Sequence, residues 1–184
     1  MYELSLNIMD IAQNSIRADA ALVAIGIDVD AGADMLTIVI EDDGAGMSEQ
    51  VRGAVTDPFF TTRTTRKIGL GIPYYEMAAK MCGGDFEILS EQGKGSRISA
   101  SFRISHIDRA PLGNLGQTVA LLAGANPGVD FICTVSNGPD SFVFDTREIK
   151  ELLDGVGIET PEVIVYMENY FNENSKNITR GIEL

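Results

Sequence analysis

Three polar residues near the N-terminus include types, at a suitable spacing, that could orient a nucleophile and ligate a metal ion. Asp10, Asn14 and Arg17 recur at helical intervals within residues 3–17, so one face of a helix would carry all three. A carboxylate can orient or deprotonate a nucleophile, and an amide oxygen can ligate Mg²⁺. The alternative interpretation is a solvated polar face, which is the usual fate of such residues.

A second candidate lies where a hydrophobic run ends in the residues Glu41-Asp42-Asp43-Gly44-Ala45-Gly46-Met47. The two glycines lack a Cβ, so a flat ring can approach the backbone closely beside a carboxylate. This pattern is typical of a nucleotide-base pocket. An ordinary Asp/Gly turn after a strand is the alternative.

Two further glycine pairs are ambiguous when each is taken alone. Gly69-Leu70-Gly71 precedes a helical pattern, so its backbone N–H groups and the helix dipole could meet phosphate oxygens. A helix entry chosen for chain geometry is the alternative. Gly93-Lys94-Gly95-Ser96 lies between two strand patterns, where glycine-rich hairpin loops are common.

The elements that would position these residues can be predicted from apolar periodicity. The patterns indicate a helix over 3–17, a hairpin over 21–30 and 35–43, a short helix from Ser48 to about 55, a helix over 71–81, and strands over 85–90 and 97–104. Residues 56–69 fit neither period and are rich in hydroxyls and positive charge, so we expect a mobile loop. This order predicts an α+β fold, a two-layer α/β sandwich whose helices cover one face of a mostly antiparallel sheet.

The remainder of the chain, 108–184, is expected to form a small, separate α+β unit after a first domain of residues 1–107. A segment with Pro and two Gly marks the boundary, and helices are predicted near 112–124, 145–154 and 161–172, with a hairpin over 130–145 and a frayed end. Two interpretations of this unit stay open. It is either a structural extension that completes the core or a docking surface for a partner.

Composition excludes several classes of protein. The chain has 184 residues, 45% of them hydrophobic and 22% charged, which are ordinary globular values. A formal charge of −13 would repel nucleic acid and anionic membranes. No apolar run is long enough to span a bilayer and no secretory signal is evident, so we expect a cytoplasmic protein. Cys82 and Cys133 indicate neither a disulfide scaffold nor a zinc site.

Taken together and in order, the motifs resemble the ATP-binding domain shared by DNA gyrase, the heat-shock chaperone, histidine kinases and the mismatch-repair ATPase, the GHKL superfamily with the Bergerat fold. The resemblance spans about residues 3–104. Its N box matches residues 10–15, its first glycine box 42–47, its F box Asp57-Pro58-Phe59-Phe60-Thr61-Thr62-Arg63, and its second and third glycine boxes 69–72 and 93–96. Within the superfamily the chain looks most like a histidine-kinase catalytic domain.

The resemblance implies ATP and Mg²⁺ as cofactors and assigns roles to individual residues. Asp10 would be the catalytic residue, Asn14 would coordinate Mg²⁺, and Asp42 would accept a hydrogen bond from the adenine amino group. The other implied nucleotide contacts are Arg17, Gly44, Gly46, Met47, Thr62, Arg63, Gly69, Leu70, Gly71 and Ser96.

Three departures from the family pattern limit the predicted activity. Asp10 stands where hydrolysing members carry Glu, so its shorter side chain would reach less far toward a water that attacks the γ-phosphate. Asp43 replaces the Asn common after the first Asp, which adds a negative charge near the nucleotide unless the side chain faces away. The one histidine, His106, lacks the acidic neighbour of a phosphoacceptor and is expected to be structural or on the surface.

Any phosphoacceptor is therefore expected on another chain. The favoured hypothesis is a regulatory kinase that phosphorylates a protein partner in trans on Ser, Thr or His, because in-line transfer depends on positioning more than on a strong base. An ATP-gated switch or assembly ATPase is the first alternative, and a module that binds nucleotide without turnover is the second. A protein substrate or regulator is the expected partner, and a homodimer is left open.

Overall fold

The protein is described from a computed structural model that covers residues 3–56 and 71–179. The helices are α1 (Leu4–Arg17), α2 (Glu49–Ala54), α3 (Gly71–Met81), α4 (Leu115–Ala125), α5 (Thr146–Leu152) and α6 (Pro161–Thr179). The strands are β1 (Leu22–Asp30), β2 (Met35–Asp42), β3 (Phe86–Glu91), β4 (Gly95–Arg103), β5 (Asp130–Ser136) and β6 (Ser141–Asp145). Nearly all of the predicted mobile loop, residues 56–69, lies within 57–70, outside the described residues.

One six-stranded sheet organises the molecule, with strand order β3-β4-β2-β1-β5-β6. All neighbouring strands are antiparallel except β1 and β5, which are parallel. Every second residue along β1, β2 and β5 is buried, because only one face of the sheet is covered by helices. This arrangement confirms the predicted α+β sandwich with its mostly antiparallel sheet.

The sheet and the core both run across the boundary predicted after residue 107. β5 lies beside β1 in register, with Leu22 opposite Asp130, and Phe131, Phe144 and Phe171 are fully buried in the same hydrophobic cluster as Ile25. The later segment is thus continuous with the first in both sheet and core, which supports its interpretation as an extension that completes the core. The domain boundary itself stays a prediction.

The later segment also anchors the first helix. No side chain caps the N-terminus of α1, but the backbone N–H groups of Leu4 and Ser5 donate to the carbonyls of Pro111 and Leu112 at 2.9 and 2.8 Å. Helix N-termini leave such donors unsatisfied unless a partner is supplied. Residues 111–112 therefore fix the entry of the helix that carries Asp10 and Asn14.

The last helix is longer than its sequence pattern predicts. We expected α6 to end near 172 and the chain to fray, but the helix continues to Thr179. Its buried stripe continues through Phe171 to Ile178, whose carbonyl accepts a hydrogen bond from the Asn137 side chain. Tertiary packing overrides the weak helix propensity of the Asn- and Ser-rich segment.

The two cysteines are free thiols inside the protein. Cys82 and Cys133 are both buried and unbridged, and burial raises the pKa of each thiol.

Among the helices in the described part of the chain, none combines the length and the apolar character that a bilayer crossing needs.

Candidate functional site

Helix α1 presents its polar residues on the side away from the core. Leu4, Ile8, Ile11 and Ala12 pack inward, whereas Asp10 and Arg17 are exposed and Asn14 is half-buried. The Arg17 guanidinium donates to Asn14 Oδ1 at 3.0 Å and to Gln13 Oε1 at 3.2 Å. The predicted metal ligand and the predicted phosphate-binding cation therefore contact each other.

The start of α3 lies directly against Asp10. A Cβ placed on Gly71 would be 3.5 Å from the Cβ of Asp10 and 3.7 Å from its Oδ2, so the two backbones approach closely. The first turn of a helix offers free N–H donors and the positive end of the dipole, and no acidic residue occupies that turn of α3. The structure thus brings the predicted catalytic carboxylate to a helix N-terminus suited to anions.

Asp42, the last residue of β2, is held by donors from two directions. Its Oδ2 accepts a hydrogen bond from Ser15 Oγ at 2.6 Å, and its Oδ1 accepts one from the Gly44 N–H at 3.0 Å. Because Ser15 belongs to α1, the hydrogen bond links the predicted base site to the helix of the phosphate site. Ser15 received no role from the sequence, although a serine on the apolar face of α1, 4% exposed, is a signal that could have found it.

The neighbouring Asp43 points elsewhere. Its Oδ1 accepts hydrogen bonds from the backbone N–H groups of Ala21 and Leu22 at 2.8 and 2.9 Å, where β1 begins. The second carboxylate therefore satisfies strand-end donors and does not share the position of Asp42.

Two glycines with positive φ lock the first and third glycine boxes together. Gly46 (φ +64°) and Gly95 (φ +89°) adopt a backbone conformation that favours glycine. A Cβ on Gly46 would collide with the backbone of Glu91 and one on Gly95 with the backbone of Asp42, and the Gly93 N–H donates to the Ala45 carbonyl at 2.7 Å. Only glycine fits at Gly46 and Gly95 without moving these chains apart.

Ser90 cross-links the same two segments. Its hydroxyl accepts from the Met47 N–H at 2.8 Å, donates to the Gly95 carbonyl at 2.9 Å and lies 3.0 Å from the hydroxyl of Ser96. Ser96 pairs with Asp42 in the β2–β4 register, as its predicted supporting role requires, although its hydroxyl contacts Ser90. No sequence signal identifies Ser90, because a serine in a strand is common.

Gly44 is also constrained, since a Cβ there would lie 2.6 Å from the Ala18 carbonyl oxygen. The remaining predicted contacts, Thr62, Arg63, Gly69 and Leu70, lie outside the described residues. The structure therefore brings Asp10 together with Gly71 on the exposed side of α1, and it joins Ser15, on the buried side of α1, to Asp42 and Gly44.

The donor set fits a nucleotide with a hard metal ion. Asp10 and Asn14 offer oxygen atoms one helical turn apart, and oxygen is the ligand that Mg²⁺ prefers. Within residues 3–56 and 71–179, no three His, Cys, Asp or Glu side chains converge in a metal cage. The pair of oxygen donors on Asp10 and Asn14 suits an ion that takes most of its ligands from phosphates and water.

The comparisons with known proteins agree with this geometry. Residues 3–106 match the model of the family described as histidine kinase-, DNA gyrase B- and HSP90-like ATPases. A relative from Shewanella frigidimarina (strain NCIMB 400), named "Putative sensor protein", is 28% identical over 109 residues, which cover 59% of this chain. The chain spans only 16% of the length of that relative.

A solved structure, the N-terminal domain of a DNA repair protein, superposes with a TM-score of 0.51 at 13% identity, over 78% of this chain and 52% of that one. At that identity the likeness concerns the fold alone. The family match extends over more than half of the chain and contains every residue of the site described above. The chain belongs to the family of histidine kinase-, DNA gyrase B- and HSP90-like ATPases, a family that binds ATP.

Proposed function

We propose that the protein binds Mg-ATP and transfers the γ-phosphoryl group to a partner protein in trans, on a Ser, Thr or His side chain. Family membership supports ATP binding. The observation that carries the transfer step is the solvent-exposed Asp10 carboxylate against the N-terminus of α3. A reacting phosphoryl group held at that helix start would be accessible to the acceptor side chain of a partner protein.

The base would be recognised at Asp42. Ser15 and the Gly44 N–H fix the carboxylate, and each oxygen retains capacity for another hydrogen bond. An exocyclic amino group is a donor that matches this acceptor. The close approach of Gly46 and Gly95 holds the first glycine box against the turn between β3 and β4, which fixes the backbone that borders Asp42.

The phosphates would lie between α1 and the start of α3. Mg²⁺ supplies charge neutralisation of the phosphate oxygens when it is bound. Asn14 Oδ1 would ligate the ion, and because that oxygen accepts from Arg17, the guanidinium would be released to pair with phosphate. The N–H groups at the first turn of α3 would donate to phosphate oxygens.

The transfer step breaks the bond between the γ-phosphorus and the oxygen bridging it to the β-phosphate, and forms a bond from the γ-phosphorus to the acceptor oxygen or nitrogen. ADP leaves with the electron pair of the broken bond. Asp10 would accept the proton that a hydroxyl acceptor loses. Positioning and charge stabilisation dominate such transfers, so a short carboxylate suffices.

An exposed apolar strip beside the phosphate site supports a partner in trans. Tyr74, Met77 and Met81 recur along the outer face of α3 and are 51%, 51% and 58% exposed. Grouped large apolar side chains on a surface are typical of interaction sites. A partner bound there would bring its acceptor close to the start of α3.

An ATP-gated switch with slow or no hydrolysis is the second candidate. The observation that favours it is Asp10 itself, since a carboxylate shortened by one methylene would position an attacking water poorly. In that case ATP binding would change the affinity for a partner without chemistry.

A labelling experiment separates the two candidates. The purified protein is incubated with γ-labelled ATP and Mg²⁺, alone and with lysate of the expressing cells, and both protein-bound label and free phosphate are measured. Kinase activity predicts a labelled protein that disappears with Asn14→Ala and persists with the matched control Asp43→Asn. Tight ATP binding without a labelled protein would contradict the kinase and favour the switch.

A further inference from the structure

The sheet ends in an open edge at β6. This strand pairs with β5 on one side, and on its other side no strand of the described chain is paired with it. Edge strands present unpaired N–H and C=O groups, and natural proteins usually blunt them with Lys, Pro or a bulge. The five residues of β6, Ser141–Asp145, contain neither Lys nor Pro. Its backbone is therefore suited to accept a further strand.

Aromatic side chains border this edge on the helix side of the sheet. Tyr166 and Tyr170 of α6 stack with ring centroids 6.0 Å apart and an interplanar angle of 14°, and Tyr170 packs on Phe142 at 5.8 Å. Tyr166 remains 52% exposed. On the opposite face of the sheet, Val143 is also 52% exposed. An added strand would thus find an apolar contact for its side chains on both faces.

The charge around the edge is negative. Asp140 immediately precedes β6, Glu148 follows it by one helical turn, and Glu162 and Glu173 flank the two tyrosines along α6. Among the cations in this part of the described chain, Arg147 is bound to Asp145 and Lys150 to Asp130, each at 2.6 Å, and Lys176 lies three residues beyond Glu173 on α6. Residues 108–184 as a whole carry 12 Asp and Glu against 5 Lys and Arg.

This charge distribution decides between two occupants of the edge. A second copy of the chain would bring an equally acidic surface against this one, and a net like charge on both sides opposes binding. A segment that carries Lys or Arg would place opposite charges at both ends of β6 and at both ends of the tyrosine pair. A basic partner therefore complements the surface and a second copy does not.

We infer that β6, together with Tyr166 and Tyr170, is a docking site for an extended segment of a partner protein in which apolar and basic residues alternate. The segment adds to the sheet as a seventh strand through main-chain hydrogen bonds. In the sheet order, β5 and β1 separate β6 from β2, which carries Asp42. The partner can therefore be held while the nucleotide site stays accessible, which goes beyond the proposed phosphoryl transfer.

The test uses a peptide probe, fluorescein-labelled Lys-Val-Lys-Val-Lys-Val-Lys-amide, with the whole 184-residue chain. Binding is measured by fluorescence anisotropy, and backbone hydrogen exchange is followed with and without peptide. The expected result is at least tenfold slower exchange within 141–145 at saturation. A control peptide N-methylated at every residue keeps charge and apolar character but has no N–H group to donate along either edge, and we expect it to bind at least tenfold more weakly.

Matched tyrosine variants locate the site. Tyr166→Ser should weaken peptide binding at least tenfold, whereas Tyr74→Ser, which removes a tyrosine that is 51% exposed on α3, should change it less than twofold. Glu162→Lys should also weaken binding, because it reverses a flanking charge. Thermal unfolding of each variant confirms that it is folded.

Several results would overturn the inference. Absence of peptide binding, equal binding of the N-methylated control, unchanged exchange at 141–145, or equal effects of the two tyrosine variants would each do so. A homodimer in sedimentation analysis that Tyr166→Ser dissociates would also overturn it, by showing that a second copy occupies the edge.

Discussion

At the residue scale, substitution of Asp10 should distinguish phosphoryl-transfer turnover from nucleotide binding. Its carboxylate lies at the start of α3 and not at the base site, so Asp10→Ala should remove a group that acts during transfer while leaving the nucleotide contacts in place. We expect turnover to fall by about 10²-fold or more and ATP affinity to change only about threefold or less. Turnover is measured from labelled product and affinity from nucleotide titration. Loss of affinity with preserved turnover would contradict the assigned role.

Tyr75 offers a residue-scale test of the core. Its ring is fully buried against Phe86 and Phe102, at 6.1 and 5.6 Å, and its hydroxyl is buried without a hydrogen-bond partner among the described residues. Burial raises the pKa of this hydroxyl, so it stays neutral. Tyr75→Phe removes a desolvated polar atom and keeps the ring. We expect the free energy of unfolding to stay equal or to rise by about 1 kcal/mol.

Denaturant unfolding of Tyr75→Phe, with exposed Tyr74→Phe as the matched control, checks this expectation. A decrease of more than about 1 kcal/mol for Tyr75→Phe alone would show that the hydroxyl is satisfied in the folded protein, because such a loss is the size of a buried hydrogen bond.

Motifs with a fixed spacing pointed to residues that the fold places close together, since Asp10 lies beside Gly71 and Asp42 pairs with Ser96. Their roles in a nucleotide site stay predictions. The sequence missed Ser15 and Ser90, which hold the predicted residues in place. Their roles depend on contacts between segments far apart in the chain, such as the 27 positions from Ser15 to Asp42, and residue type alone does not reveal such contacts.

At the element scale, the contact between the two glycine turns should be intolerant of any side chain. Gly46→Ala adds a Cβ that collides with the Glu91 carbonyl at a positive φ, so we expect a loss of roughly 2–4 kcal/mol in stability. ATP affinity should fall as well, because the turn borders Asp42. Gly53→Ala, in the exposed helix α2 with open space around it, is the control and should gain up to about 1 kcal/mol.

Thermal unfolding and nucleotide titration of both variants measure these effects. If Gly46→Ala matched the wild-type protein in stability and in ATP affinity, the close approach of the two turns would not be a feature of the folded protein.

Helices and strands were predictable from periodicity, whereas the pairing of distant strands was not. The pattern over 71–81 coincides with α3, and the hairpins β1–β2 and β5–β6 follow from short turns. The parallel pairing of β1 with β5 joins segments about 100 residues apart, and a local pattern carries no information on such a neighbour. The length of α6 was likewise set by packing and not by propensity.

At the scale of the whole molecule, residues 108–184 should be required for folding. They supply the buried rings of Phe131, Phe144 and Phe171 and the carbonyls that accept from the N-terminus of α1. A fragment of residues 1–107 would expose the edge of β1 and the packing face of α1. We expect this fragment to show no cooperative unfolding transition by circular dichroism. A cooperative fragment with wild-type ATP affinity would show that the predicted first domain is self-sufficient.

The most direct test of the central claim is calorimetric titration of ATP, with and without Mg²⁺, into the wild-type protein and the variants Asp42→Asn and Asp43→Asn. Because Asp42 is held by α1 toward the site while Asp43 serves the start of β1, we predict Mg²⁺-dependent binding that Asp42→Asn weakens at least tenfold and Asp43→Asn leaves within about threefold. Equal affinities for the wild-type protein and Asp42→Asn would contradict the assignment of this site to ATP.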